Sequence, residues 1–456
     1  MAHVQKTNSN SIKPSIKLGL LDWIFVGSLL VIFGGIVLHA PLSVGFSTLF
    51  PSFDLIIKSW KEILLGLALV LGLYITTRKK VWAQFNTSLF WLIGAFGLLN
   101  LALVPLFYTG FDQTIAGLFI NLRYFLFFVL VYVALTFYPQ LYRLFLKVFI
   151  AGAAIVIGFA ILQLTVLPHD VLKYIGYNES TIVPYLTVDE NSNYIRINST
   201  LRGPNPLGAY AIIVIAVVLA VWLKSTRKLT KLEVWLCALL GFGGALAVWA
   251  SYSRSAALGA LIAVAVVVLI SYGRSINKWV WICFAAVAIA LSGSLFILRD
   301  TQFVSQVILH EDPHEGNDVN SNDGHAESLL EGTNRMLRQP LGAGIGSTGS
   351  ASLMGDEPFI VENQYLFVAH ETGWLGLVLF VVIYWFVLRQ LWRKRQHWFA
   401  LGVLASGVGL AVIGLLLPVF ADDTVAIVWW GLAAIALAAH LKDPQTSTRK
   451  PKVRSV

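Results

Sequence analysis

Leu207-Gly-Ala-Tyr-Ala-Ile-Ile-Val-Ile-Ala-Val-Val-Leu-Ala-Val-Trp-Leu223 holds seventeen residues without one charge. As a helix it rises about 25 Å, close to the roughly 30 Å hydrocarbon core of a bilayer. Working outward, similar runs recur near 19–40, 62–77, 89–108, 114–136, 144–167, 207–223, 234–252, 255–272, 279–298, 364–388, 398–418 and 424–441. The 456-residue chain is 57% hydrophobic and only 12% charged, whereas soluble domains hold about 25% charged residues. These runs predict an all-α polytopic membrane protein of about twelve transmembrane helices. Residues 1–456 then form a single integral membrane domain, with no evident internal repeat.

Basic residues set the orientation. Alternating the loops with the N-terminus cytoplasmic places 23 of the 33 Lys and Arg on the cytoplasmic side, including a basic tail at 442–456. That asymmetry predicts both termini inside, and it assigns the net charge of +9 to topology and not to nucleic acid. The first run has no small-residue cleavage site and is expected to be a retained anchor. Cys237 and Cys283 lie within apolar runs and read as small buried hydrophobes, not a disulfide or metal pair.

The ten exceptions are Lys58, Lys61, Arg123, Lys173, Arg196, Arg202, Arg254, Arg299, Arg335 and Arg338. Most cluster around two long external segments, 168–206 and 299–363, lengths uncommon for loops without a function or disorder. The acidic middle of the second, around His310 to Asp318, reads as flexible, and Gln339 to Gly346 as a turn-rich approach to the next span.

Arg123 lies about nine residues into its span, where a charge costs roughly 2.5–3.5 kcal/mol on insertion scales. It either snorkels or pairs with a carboxylate, or it walls an anion site. Arg254, in Ser251-Tyr-Ser-Arg-Ser255, occupies a tight external turn; its planar guanidinium suits a phosphate oxygen, unless it merely ends a helix. Arg196-Ile-Asn-Ser-Thr-Leu-Arg-Gly-Pro-Asn-Pro-Leu-Gly208 enters a span directly. Its Arg196, Arg202 and Asn205 beside a helix start could hold an anion, or the segment is a capped junction.

Glu362 marks the mouth of the tenth span, followed by Asn363, His370 and Glu371. At 100° per residue Glu362 and His370 do not touch, and Glu371 faces the opposite side from Glu362. The Asp318-x-Asn-x-Asn-Asp-Gly324 stretch departs from a calcium loop, since position twelve is Leu329. His310 and His314 have metal-ligand spacing but read as part of a solvated loop.

Together these pieces resemble the O-antigen ligase and polymerase superfamily of bacterial membrane glycosyltransferases, with a GT-C-like ligase architecture. Arg196 to Gly208 resembles that family's Arg-x-x-Gly-Thr-Phe-x-x-Pro-Asn-x-x-Gly segment, and Ser251 to Ala256 its Ser-x-Ser-Arg-Gly turn. Asn363 followed after nine residues by Gly373-Trp-Leu-Gly376 resembles the ligase signature His-(Asn/Ser/Gln)-x9-Gly, with Glu362 where ligases carry His. Arg335 to Gly346 fits the Arg-x10-Gly spacing of the polymerases.

The resemblance implies a glycan donor on a polyprenyl diphosphate, an acceptor hydroxyl on a glycan, lipid or protein, inversion at the anomeric carbon, and the bacterial cytoplasmic (inner) membrane. It implies no cofactor or metal, guanidiniums taking that role at the leaving group. On this reading Arg196 and Arg254 hold the diphosphate and Glu362 takes the acceptor proton. Arg202, Arg123, Asn205, Asn363, His370, Arg335 and Arg338 are further binding candidates. A flippase for the same lipid-linked glycans is the alternative, although such transporters commonly carry internal repeats. A membrane scaffold would leave the external arginines unexplained.

Overall fold

The computed structural model describes residues 18–188, 191–273, 297–298, 301, 304–305 and 321–438. Uninterrupted apolar sequence in a medium without water leaves the backbone one solution, intrachain helical hydrogen bonds. The helices are α1 (Leu20–Gly35), α2 (His39–Leu49), α3 (Asp54–Lys58), α4 (Trp60–Lys79), α5 (Ser88–Leu106) and α6 (Phe111–Phe137). They continue with α7 (Tyr142–Thr165), α8 (Pro204–Lys224), α9 (Lys231–Ala250) and α10 (Arg254–Tyr272). After an amphipathic α11 (Ser321–Arg338) come α12 (Gln364–Arg393), α13 (Trp398–Ile413) and α14 (Asp423–Ala438).

Among the described residues nine helical segments are long and apolar enough to cross a membrane, and α13 and α14 are shorter apolar helices. Each predicted span therefore meets a helix except the ninth, whose residues 279–296 lie outside the described residues. So do Cys283, His310, His314 and the tail from 439. Cys237 is a free, half-buried thiol.

Lipid tails are as apolar as leucine, so helices associate through close packing and not through exclusion from the membrane. Small residues set the contacts. A Cβ on Gly409 of α13 would stand 2.6 Å from the carbonyl oxygen of Gly259 in α10, so those two backbones touch. α14 is apolar all round and buried on every side from Thr424 to Leu437, which makes it the central helix. Its Trp430 packs edge-on to Phe125 (4.7 Å between centroids), and Trp429 lies 5.0 Å from Tyr384. Outward residues such as Trp91 and Leu98 are about 70% exposed, as a lipid-facing surface requires.

The connections sort into two ends. At one end, here called the mouth, the segments 50–59, 107–110, 166–203, 251–253 and 414–422 come together with the residues preceding α12. At the other, the basic end, Lys224 Nζ donates to Gln396 Oε1 (3.2 Å), and Lys394 Nζ to the carbonyl of Leu437 (2.6 Å). This is the same partition that the alternation of basic loops predicts.

Among the described residues, both long mouth segments contain regular structure that the sequence reading does not give. Within 168–206, β1 (Leu186–Val188) and β2 (Asn191–Arg196) pair antiparallel, with Leu186 opposite Arg196. Within 299–363, α11 replaces part of what reads as loop. His325, Ser328, Leu329, Gly332, Arg335 and Met336 are its better-buried positions, a three-and-four spacing that forms one helical face. That face docks on the mouth end of α12, where a Cβ on Gly332 would approach Leu366 and Val361 to 3.3 and 3.4 Å. Such a helix escapes a search for spans because its apolar stripe is too narrow and too short.

Candidate active site

The Arg196–Gly208 segment and the Ser251 turn are built as one unit. Pro204 opens α8 after an extended Gly203, and with Pro206 it removes two of the backbone N–H groups that a helix start would otherwise leave unsatisfied. Gly208, one turn in, abuts the turn between α9 and α10: a Cβ there would meet Ala256 Cβ at 2.5 Å and Ser251 Oγ at 3.0 Å. Arg196, at the end of β2, donates from Nε to the Ser251 carbonyl (2.9 Å) and from a terminal nitrogen to Asn205 Oδ1 (2.8 Å). Ile197 N–H bonds the Ala250 carbonyl (3.2 Å). Ser253 caps α10, and Tyr252 before it adopts φ +47°, so the turn that presents Arg254 is tightly specified. Arg254 and Arg202 are exposed at the mouth, whereas Arg196 is spent partly on bracing its neighbours.

A second set of contacts converges on the connection 414–422 between α13 and α14. Asn363 caps α12, its Oδ1 accepting from the N–H groups of Tyr365 and Leu366, while its Nδ2 donates to the Leu415 carbonyl (2.8 Å). Gln364 Oε1 accepts from Phe420 N–H (2.8 Å), and Arg123 donates to the Ala421 carbonyl (2.9 Å). Arg202 lies within electrostatic reach of Asp422. Ile413, where α13 ends, packs over Gly259, five residues into α10 from Arg254. The connection therefore joins the arginine unit to the start of α12.

Glu362 stands at that start, a little over a third exposed, and its Oε2 contacts Nδ1 of His325 on α11. Its N–H donates to Ser328 Oγ (3.0 Å). His370 is buried one helix stretch deeper, its ring 5.0 Å from Phe359, so Glu362 and His370 stay apart as the helical spacing requires. Arg335 pairs with Glu331 and stacks its guanidinium 3.9 Å over the Phe359 ring; Arg338 is exposed on the outer side of α11.

Arg123 follows the carboxylate-paired alternative. It is 8% exposed, 3.5 Å from Glu62 and 3.9 Å from Asp423. Lys61 lies 3.1 Å from the same Asp423 and 3.3 Å from Glu62, and His39 3.4 Å from Asp423. These five side chains are 6–16% exposed and join α2, α4, α6 and α14. Apart from Arg123 and Lys61 the sequence reading passes them over. The available signal was that Lys61, Glu62, Asp422 and Asp423 sit where apolar runs reach the same end.

Glu371 is also missed as a structural centre. It is fully buried, with Oε2 accepting from Asn121 Nδ2 (2.7 Å) and Oε1 from Gly346 N–H (3.1 Å). The turn-rich stretch therefore runs into the bundle. Gly342, Gly344, Gly346 and Gly349 all take positive φ, and a Cβ on Gly117 of α6 would collide with the Gly346 nitrogen at 2.4 Å. α12 breaks beside it at Gly373 (φ +67°, ψ −170°), and the Trp374 N–H turns to the Pro340 carbonyl (2.9 Å). Only glycine adopts that conformation without strain.

No curated protein matches the chain. Residues 236–381 match the family model for O-antigen ligase, over the segment that carries the Ser251 turn, the glycine-rich stretch and Asn363; this match supports the placement of the chain in the O-antigen ligase and polymerase superfamily.

Proposed function

We propose that the protein transfers a glycan from a polyprenyl-diphosphate donor to an acceptor hydroxyl, at the outer face of a bacterial cytoplasmic membrane. The observation that carries this reading is the bond from Arg196 to the Ser251 carbonyl with Gly208 docked beneath. It joins two family-like motifs into one arginine-bearing surface, beside the turn that leads to Asn363 and Glu362.

Arg254 and Arg202 neutralise the diphosphate, whose charge grows as the bond to the anomeric carbon breaks. Arg196 holds the turn that presents Arg254 and adds its own positive charge. The acceptor oxygen attacks the anomeric carbon from the face opposite the diphosphate, so configuration inverts. Its proton passes to Glu362, with His325 alongside as the partner that fixes the carboxyl group. Asn363 orients the start of α12 and Arg335 lies on α11 over Phe359, both supporting the acceptor side.

The test is transfer of a labelled lipid-linked glycan by purified protein in detergent micelles. Micelles have no two compartments, so product formation there identifies a transferase. Absence of product, with the donor only redistributed across the bilayer of reconstituted vesicles, would instead establish the flippase.

A further inference from the structure

We propose that a cavity between α5 and α12, at the basic end, binds the phosphate headgroup of an anionic phospholipid from the adjoining leaflet. The cavity measures about 350 Å³ and has two kinds of wall. Leu89 and Phe386 supply an apolar side suited to the upper part of an acyl chain. Arg389 and Arg393 supply the polar side, with Thr87 and Ser88 at the start of α5.

The charge arrangement asks for an anion. Arg389 and Arg393 are four residues apart on a helix, so their guanidiniums project from one face and repel each other. Both are exposed, and neither enters an ion pair among the described residues. Lys394, also on the wall, is committed to the carbonyls of Ala436 and Leu437 but adds its field.

Across the cavity the first turn of α5 points N–H groups that have no partner within the helix, and Thr87 makes no side-chain capping bond. A helix start attracts negative charge through the aligned peptide dipoles. Guanidiniums bind phosphate oxygens in bidentate fashion, and basic pockets between membrane helices suit lipid headgroups. A partly exposed aromatic ring, Phe386, with the buried Leu89 behind it, stands beside the cations and favours a lipid over a free ion. A general excess of positive charge at this end accounts for the arginines, but not for their placement opposite a helix start over an apolar floor.

The experiment uses the full-length protein, delipidated and titrated with phosphatidylglycerol in phosphatidylcholine nanodiscs, with bound lipid counted by native mass spectrometry. The wild type should retain phosphatidylglycerol. Arg389→Gln with Arg393→Gln should weaken retention roughly 25-fold, about fivefold for each cation at a membrane surface. Thr87→Glu, which places a carboxylate at the helix start, should weaken it as well and serves if the double variant does not fold. Arg395→Gln removes a charge from the same end but from a side chain held against Trp392, and should change nothing. Equal loss in Arg395→Gln would reduce the effect to bulk charge and overturn the site. Unchanged retention in the double variant or in Thr87→Glu would overturn it too. Displacement by millimolar inorganic phosphate would assign the cavity to a free anion and not to a lipid.

Discussion

The Glu371 carboxyl group and the Asn121 side-chain amide meet at 2.7 Å, deep between α12 and α6, although 250 positions separate them in the chain. Asn121 also donates to Asn100 Oδ1 (3.1 Å), and Gly346 N–H bonds the other carboxyl oxygen. One buried acid thus holds together α5, α6, α12 and the glycine-rich stretch.

Glu371→Leu should therefore leave the Gly346 N–H without a partner and reduce the Asn121 amide to its bond with Asn100. The expected loss is about 1–3 kcal/mol for each unsatisfied group, seen as a lower unfolding temperature in detergent. Glu371→Gln keeps an oxygen for Asn121 and should lose clearly less. Equal stability of Glu371→Leu and the wild type would remove this residue from the framework.

The five-residue ionic cluster makes a second prediction. Asp423→Leu strips Lys61 and Arg123 of a shared carboxylate while both remain buried. Breaking a buried pair from one side costs up to roughly 3–5 kcal/mol, and here Lys61 and Arg123 are left to share Glu62, so one positive charge stays uncompensated. Combining it with Lys61→Met should recover part of that loss, so the pair should show strong non-additivity in a double-mutant cycle.

Arg254→Ala should slow transfer by about 10²–10³-fold with the unfolding temperature unchanged, the usual effect of losing one preorganised donor to a leaving group. Arg254→Lys should recover little, since an ammonium lacks the planar fork. Arg196→Ala should reduce transfer and also loosen the Ser251 turn, because its bonds to Ser251 and Asn205 disappear. Normal transfer by Arg254→Ala would exclude it from the diphosphate site.

Glu362→Gln keeps the shape and loses proton affinity, so transfer should fall by roughly 10²–10⁴-fold while donor binding survives. Glu362→His should retain some activity with the acid limb of its pH profile moved upward, as imidazole is intrinsically a stronger base than a carboxylate. His325→Gln should have a smaller effect if His325 only fixes the carboxyl group. A larger loss in His325→Gln than in Glu362→Gln would make the imidazole the base.

Orientation is open to direct labelling. In a background without the native cysteines, Cys introduced at Gly324, where nothing lies within 4 Å, should react with a membrane-impermeant thiol reagent on intact cells. Cys at Thr226, exposed at the basic end, should react only after permeabilisation. The reverse pattern would invert the topology.

The sequence by itself determined the membrane-length helices among the described residues, though not the amphipathic α11. Long uncharged runs have no alternative to helix in lipid, and short basic loops mark one side, so spans and their alternation are local properties that a linear reading recovers. Arg196, Arg254 and Asn363 stand in motifs with fixed local spacing, which is why a linear reading singles them out as candidates. Tertiary structure decided the partners. Whether Arg123 meets a ligand or a carboxylate depends on Glu62 and Asp423, brought from α4 and α14, and nothing near residue 123 encodes that choice. Glu371 looked like a spare acid on the far side of α12 until Gly346 and Asn121 were placed against it. His325 met Glu362 only because α11 folds back on α12 through Gly332. Pairing energies depend on distances across the bundle, and helix packing sets those distances after the helices themselves are determined.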